Sequence, residues 1–268
     1  MTMRTNETGE SDMSVLTARQ RAIHEHIARQ GFATLDALAT LFRVSVQTVR
    51  REIIHLDRCG LVERFHGGAG AIDKARRRDY SEKKIVAREG KQRIARKIIA
   101  DVRKNETVFL DVGTTVEAAA QVIAARAIPL RIVTASLPAA MALAGAEHVE
   151  THVIGGIVGG ADGSLVGADT AEILSQYTFD RCIISASGYD SGWAPSDFDL
   201  QKVFLKRLAI KRSQLAILAM DGGKFDRRAP ITVTGLHALA HLVTDGHPPD
   251  GLLEAARSAK VTIEICGN

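Results

Sequence analysis

Six short apolar runs, TVFLDV, RIVTAS, THVIGG, RCIISAS, LAILAM and HLVTD, recur between residues 107 and 245. Stretches with helical periodicity, such as VEAAAQVIAARA and VFLKRLAIKRS, separate them. Short apolar runs rich in β-branched residues suit strands buried on both faces, and strands that alternate with helices pair in parallel. The alternation predicts a mainly parallel sheet covered by helices, an α/β domain. Ligands of such sheets sit at the carboxyl ends of the strands. The residues there are small and polar: Asp111, Gly113, Thr114 and Thr115; Thr134 and Ser136; Gly155 and Gly156; Ser185 to Gly188, with Ser187 between them; and Asp221 with Lys224.

The segment DVGTT leads straight into a helical pattern, which places backbone amides and two hydroxyls at a helix amino terminus. That arrangement suits a phosphate. Read alone, it is equally a tight turn followed by a helix cap. A single lysine on a helix is, in the same way, more often solvated than liganded.

Ahead of this domain the period changes. ARQRAIHEHIARQ, residues 18–30, sets Ile23 and Ile27 four apart, and Gly31 follows as a candidate C′ residue. In TLDALATLF, Thr34 is placed to cap a second helix with Leu35, Leu38, Ala39 and Phe42 on one face. After the connection Arg43-Val44, Ser45 is placed to cap a third helix, VQTVRREIIHL, with Val46, Val49, Ile53 and Leu56 as its apolar stripe. At 100° per residue, Gln47, Thr48, Arg51 and His55 point the other way, with Arg50 and Glu52 towards the flanks. Arg pairs bidentately with guanine or phosphate, Gln reads adenine, and Thr contacts a phosphate or a thymine methyl. Two short helices joined by a brief turn present such side chains in a helix-turn-helix. LVERFHGGA then reads as a small hairpin, a wing carrying Arg64 and His66. A plain three-helix bundle has the same periodicities; the cap, the outward Arg and Gln, and the hairpin together favour DNA.

The boundaries expected are a winged helix-turn-helix over 15–70, a linker and the start of a connecting helix over 71–92, and a sensor domain over 93–268. The linker GAIDKARRRDYSEKKIVAREGKQR mixes both signs of charge around Arg76-Arg77-Arg78, and a helix is expected to start near Ser81. The basic run is either solvated or set against phosphates. At 268 residues the chain exceeds the roughly 250 at which one core stops growing, which also argues for two domains.

Composition removes several other classes. The 46% hydrophobic and 25% charged residues are those of a globular chain rather than a disordered one. No apolar stretch approaches the roughly 20 residues that span a bilayer, and the polar start lacks a signal core, so a cytoplasmic protein without a membrane partner is expected. Cys59, Cys182 and Cys266 stand alone, and the nine histidines lack ligand spacing, so no metal, cofactor or disulfide is expected. A net charge of +4 permits nucleic-acid binding without requiring it. Asp197, Asp199, Lys206 and Asp221 leave open an enzyme with an acid–base set.

The segment SVQTVRREIIHLDRCGLVERFHGGA resembles the helix-turn-helix and wing of the DeoR family of bacterial regulators, and FLDVGTT, VTASLPAA, IGGIVGGADGSLVG, SASGYDSG, KRLAI, DGGKF and VTD resemble its sensor domain. The resemblance implies an α+β winged helix-turn-helix followed by an α/β sensor domain similar to ribose-5-phosphate isomerase. It implies a non-enzymatic repressor of operator DNA, released by a phosphorylated effector. It assigns Gln47, Thr48, Arg50 and Arg51 to DNA, and the reading of the cap, the outward helix face and the hairpin adds Ser45, His55, Arg64 and His66. By the resemblance Asp111, Gly113, Thr114 and Thr115 go to the effector's phosphate or polyol, Lys206 and Lys224 to charge pairing, and Gly188 to a close approach; Ser136, from its strand end, and Ser187 join the effector set. EGKQRIARKIIADV, LRIVTASL, ILSQYTFD and FDLQKVFLKR resemble a branch that responds to glycerol-3-phosphate; another sugar phosphate is the alternative. Ala135, Lys202, Gly222 and Gly223 depart from the usual pattern. Symmetric helix-turn-helix proteins read paired half-sites, so a homo-oligomer, dimer or tetramer, is expected.

Overall fold

The computed structural model of the chain describes residues 16–30, 32–65, 67–71, 80, 84 and 86–267, and it divides into two compact units, Met1–Arg77 and Arg78–Asn268.

In the first unit three helices, α1 (Ala18–Gln30), α2 (Leu35–Phe42) and α3 (Val46–Arg58), close over one core. Ile23, Ile27, Leu38, Val49, Ile53 and Leu56 are fully buried there, joined by Val62 and Ala69 from the hairpin β2 (Val62–Phe65) and β3 (Gly68–Ala71). Thr34 Oγ1 accepts the Ala37 amide at 3.1 Å and so caps α2. A third strand, β1 (Phe32–Thr34), pairs antiparallel with β3, giving the order β1-β3-β2. Three residues are too few for an alternation to show, so the sequence reading did not find this strand. Gly68 makes the pairing possible, because a Cβ there would lie 2.5 Å from the Ala33 carbonyl oxygen. The expected roles of Gly31 and Ser81 lie outside the described residues.

The turn between α2 and α3 is made by a non-glycine residue in the left-handed region: Arg43 has φ 52° and ψ 47°, and its amide returns to the last carbonyls of α2. That conformation costs a residue with a Cβ about 1 kcal/mol or more. Replacing Arg43 by glycine is therefore expected to raise the unfolding free energy by about 0.5–1 kcal/mol, seen as a higher urea midpoint. A lowered midpoint would show that the arginine side chain contributes more than its backbone costs.

The second unit is an α/β structure. Its sheet has seven parallel strands: β4 (Thr107–Leu110), β5 (Leu130–Thr134), β6 (Val149–Val153), β9 (Phe179–Ile184), β12 (Ser213–Ala219), β14 (His241–Thr244) and β15 (Thr262–Ile265). They lie in the order β15-β14-β12-β9-β4-β5-β6. One face is covered by α4 (Arg88–Ala100), α5 (Thr114–Ala125) and α6 (Leu137–Leu143), whose Ile94, Ile99, Val116 and Ile123 pack on Val108, Leu110, Ile132 and Ile183. The other is covered by α7 (Ala168–Ser175), α8 (Leu200–Lys211) and α9 (Asp250–Ser258), whose Leu174, Val203, Leu205 and Leu252 pack on Phe109, Val133, Cys182, Ile184 and Leu218. Neighbouring strand residues thus serve opposite layers, which is why each strand reads as a continuous apolar run. Burial pushes the Cys182 thiol up to about 12 and keeps it inert.

All six expected runs become strands of this sheet. The seventh strand, β15, with α9 before it, was not anticipated. Nor were two small antiparallel additions: the ribbon β7 (Ile157–Val158) with β8 (Leu165–Val166), and the sheet of β10 (Gly188–Tyr189), β11 (Pro195–Asp197) and β13 (Ile231–Thr232). Two- and three-residue strands carry no readable period. Chain order reverses between β4 and β9, which makes their carboxyl ends the switch point of the sheet.

Candidate nucleic-acid interface and effector site

Ser45 opens α3 as its cap, accepting the Thr48 amide at 3.2 Å, and its hydroxyl also lies 2.9 Å from Thr48 Oγ1. Burial of Val49, Ile53 and Leu56 fixes the rotation of the helix, so Gln47, Arg50, Arg51 and His55 are exposed and Thr48 is half-buried. Ser45 is exposed at the amino end of the same surface. These six positions therefore share the outward side of α3. Arg64, on β2, is exposed but leans back on the helix: its amide donates to Asp57 Oδ1 at 3.2 Å and its Nε lies 3.9 Å from Asp57 Oδ2. His66 lies outside the described residues.

Glu52 corrects the sequence reading. It is not on an outward flank but buried, and its Oε1 accepts from Arg19 Nη2 at 2.5 Å and from Nε at 3.1 Å. The pair ties α1 to α3 beside the outward face. The apolar spacing alone gave no sign of a charged residue turned inward; Arg19 on the first helix was the missing partner.

At the switch point the second unit holds a network of charge. Asp111, just past β4, accepts the Ser185 amide at 3.0 Å and a short hydrogen bond from Lys206 Nζ. Lys206, from α8, is 2% exposed, donates to the Ser185 carbonyl at 2.9 Å and lies 3.7 Å from Asp197 Oδ2. Ser187 donates to Asp197 Oδ1 at 2.6 Å. Burial pushes the Asp197 carboxyl up, but Lys206, the Ser187 hydroxyl and the Phe198 amide outweigh it and hold the group below the usual range. Burial likewise pulls the Lys206 ammonium down, and Asp111 and Asp197 more than restore it.

Lys224 completes the group differently. It donates to the Ala186 carbonyl at 2.8 Å and has Asp221 at 3.8 Å, yet burial leaves its ammonium below the ordinary range, with Arg227 and Lys206 adding repulsion. Its carboxylate neighbours, Asp221 and Asp197, do not make up for the burial.

Gly113 lies at φ 142°, and a Cβ there would come within 2.5 Å of Ser185 Oγ, so only glycine lets α5 start this close to the end of β9. Thr115 Oγ1, in the first turn of α5, is buried without a hydrogen-bond partner. Thr114 faces the other way, into a cavity of about 310 Å³ that Lys84, Arg88, Lys91, Glu117 and Gln121 also line.

Other expected effector residues have visible structural tasks. Ser136 caps α6 through the Ala139 amide, and Gly188 lets the Arg227 carbonyl approach to where a Cβ would be 2.4 Å away. Lys202 is ion-paired with Asp162 at 2.5 Å, so its ammonium is neutralised within the protein. Asp199 is the cap of α8, taken up by the Gln201 and Lys202 amides. Among the described residues no group of three or more His, Cys, Asp or Glu is placed to hold a metal, and no helix is long and apolar enough to cross a membrane.

Two family models match the chain: a DeoR-like helix-turn-helix domain over residues 19–75 and a DeoR C-terminal sensor domain over 86–246. The glycerol-3-phosphate regulon repressor of Escherichia coli (strain K12) is 32% identical over 250 residues, 93% of this chain and 99% of its own. That of Haemophilus influenzae is 30% identical over 92% of this chain and 96% of its own. A structure of ribose 5-phosphate isomerase A from Methanocaldococcus jannaschii aligns with 52% of the chain and 55% of its own at TM-score 0.39 and 12% identity.

Proposed function

Because the chain belongs to the DeoR family of helix-turn-helix repressors, we propose that it represses transcription by reading operator half-sites with α3 and leaves them when its sensor unit binds glycerol-3-phosphate. The observation that carries the DNA half is the outward side of α3. Gln47, Arg50, Arg51 and His55 are exposed there while the buried face locks the helix rotation. Gln47 and Arg51 face base edges, Ser45 and Thr48 with Arg50 the phosphates, and Arg64 the flanking backbone, a role the sequence also gives His66. The working form is cytoplasmic and oligomeric. Domain limits of 15–70 and 93–268, with a linker between, accompany this reading.

The effector half rests on the start of α5. The amides after Gly113 and the partnerless hydroxyl of Thr115 offer donors to a phosphate, and Lys224 offers a cation. Asp111 and Lys206 hold the floor of the site, and Ser136, Ser187 and Gly188 shape it. Polyol hydroxyls fall to Asp111 and Ser187. Relatives named for the glycerol-3-phosphate regulon favour that effector over a larger sugar phosphate. Catalysis has no support: Lys206 is held between two carboxylates, and Asp199 is spent as a helix cap.

Thermal-shift measurements with glycerol-3-phosphate and a panel of pentose and hexose phosphates test this. Glycerol-3-phosphate at 100 times its Kd stabilises the fold by about 2.7 kcal/mol and raises Tm, and Thr115→Val abolishes the rise. The phosphate pairs with the charged form of Lys224, whose ammonium burial holds below the ordinary range, so the shift weakens as pH rises past the depressed lysine value. A rise with a hexose phosphate alone, or one that Thr115→Val leaves intact, would sink the assignment.

A further inference from the structure

We infer that the face formed by α7 and α8 is the surface on which two copies of this chain associate. The inference rests on the repressor reading only for its need of paired half-sites. On α8, Leu200 and Phe204 are 49% and 56% exposed. Leu208 continues them at the i, i+4, i+8 spacing of one helical stripe. The stripe points away from the opposite side of the helix, where Lys202 meets Asp162 and Lys206 enters the switch-point network. α7 packs beside α8 and exposes Ile173, at 38%. A folded chain gains nothing internally by holding a Phe and two large aliphatic side chains this far out.

The occupant is a second copy for two reasons. These side chains expose on the order of 250 Å² of apolar surface, the size of the dry centre of an interface that buries about 800 Å² per partner. The charges around it are also complementary to themselves: α7 presents Asp169 and Glu172, whereas α8 presents Lys211 and the exposed Arg207, whose guanidinium is steadied by the Thr232 and Val233 carbonyls. A two-fold axis running between the helices sets α7 of one copy on α8 of the other. Ile173 then meets the Leu200–Phe204 stripe, and acids oppose bases rather than one another. One recognition helix reads only a half-site, so this pairing supplies the second.

Sedimentation of the full-length chain without DNA or effector tests the surface independently of either activity. The wild-type chain is expected as a dimer or a dimer of dimers at micromolar concentration, and Phe204→Asp and Leu200→Lys each halve its mass while the circular-dichroism melt stays cooperative. Met141→Asp, at a side chain 73% exposed on α6, leaves the mass unchanged. A monomeric wild type, an undiminished mass in both α8 variants, or dissociation by Met141→Asp alone would overturn the inference.

Discussion

Arg51→Ala is expected to abolish specific operator binding while the protein melts as before. Arg51 is exposed and no part of the helical core, so its removal leaves the packing of Val49, Ile53 and Leu56 untouched. A bidentate arginine–guanine contact is worth about 1–3 kcal/mol of discrimination, and a symmetric pair of half-sites loses it twice, about 2–6 kcal/mol in all. Band-shift titrations at fixed salt, with specific and scrambled duplexes, separate this from a plain loss of charge. The specific duplex should fall by at least tenfold towards the affinity of the scrambled one, which itself changes little. If both fell together, Arg51 would be a phosphate contact and base reading would pass to Gln47. If neither fell, α3 would not enter the groove.

That prediction was readable from sequence because helix rotation follows from apolar spacing alone. Val46, Val49, Ile53 and Leu56 fix which residues face out, and the structure leaves those residues exposed. The same logic gave the six strands, since burial on both faces writes an uninterrupted apolar run. It failed wherever a contact depends on residues far apart in the chain. Glu52 turned inward because Arg19, 33 positions earlier, was there to meet it. Ser136 and Ser187 were singled out as small polar groups at strand ends, and the partner each has in the fold, the Ala139 amide for one and Asp197 for the other, was not legible there. Lys202 is the same lesson in charge: it departs from the usual pattern, and its partner Asp162 lies forty residues away in the chain.

Lys206→Met should destabilise the sensor unit by about 3–5 kcal/mol, the cost of leaving a buried carboxylate without its cation. Asp111 and Asp197 would both face the vacancy, at 5% and 13% side-chain exposure. The pH dependence distinguishes this from a packing defect. In the wild-type protein the Asp197 carboxyl is held below its unfolded value, so its contribution is present above the ordinary carboxylate range and is lost as pH falls through the depressed value. Lys206 is held above its unfolded value, so its contribution is complete below the ordinary lysine range and disappears as pH rises through the raised value. Without the ammonium, the carboxylates regain stability by protonation, so the variant should lose least against wild type in mild acid and most at neutral pH. Adding Asp111→Asn and Asp197→Asn to Lys206→Met should recover much of the loss, because the cost lies in unpaired charge rather than in the missing methylenes. A deficit that is flat with pH and unrescued by the amides would mean that Lys206 serves the core through its stem, and the switch point would then have no charge network to offer an effector.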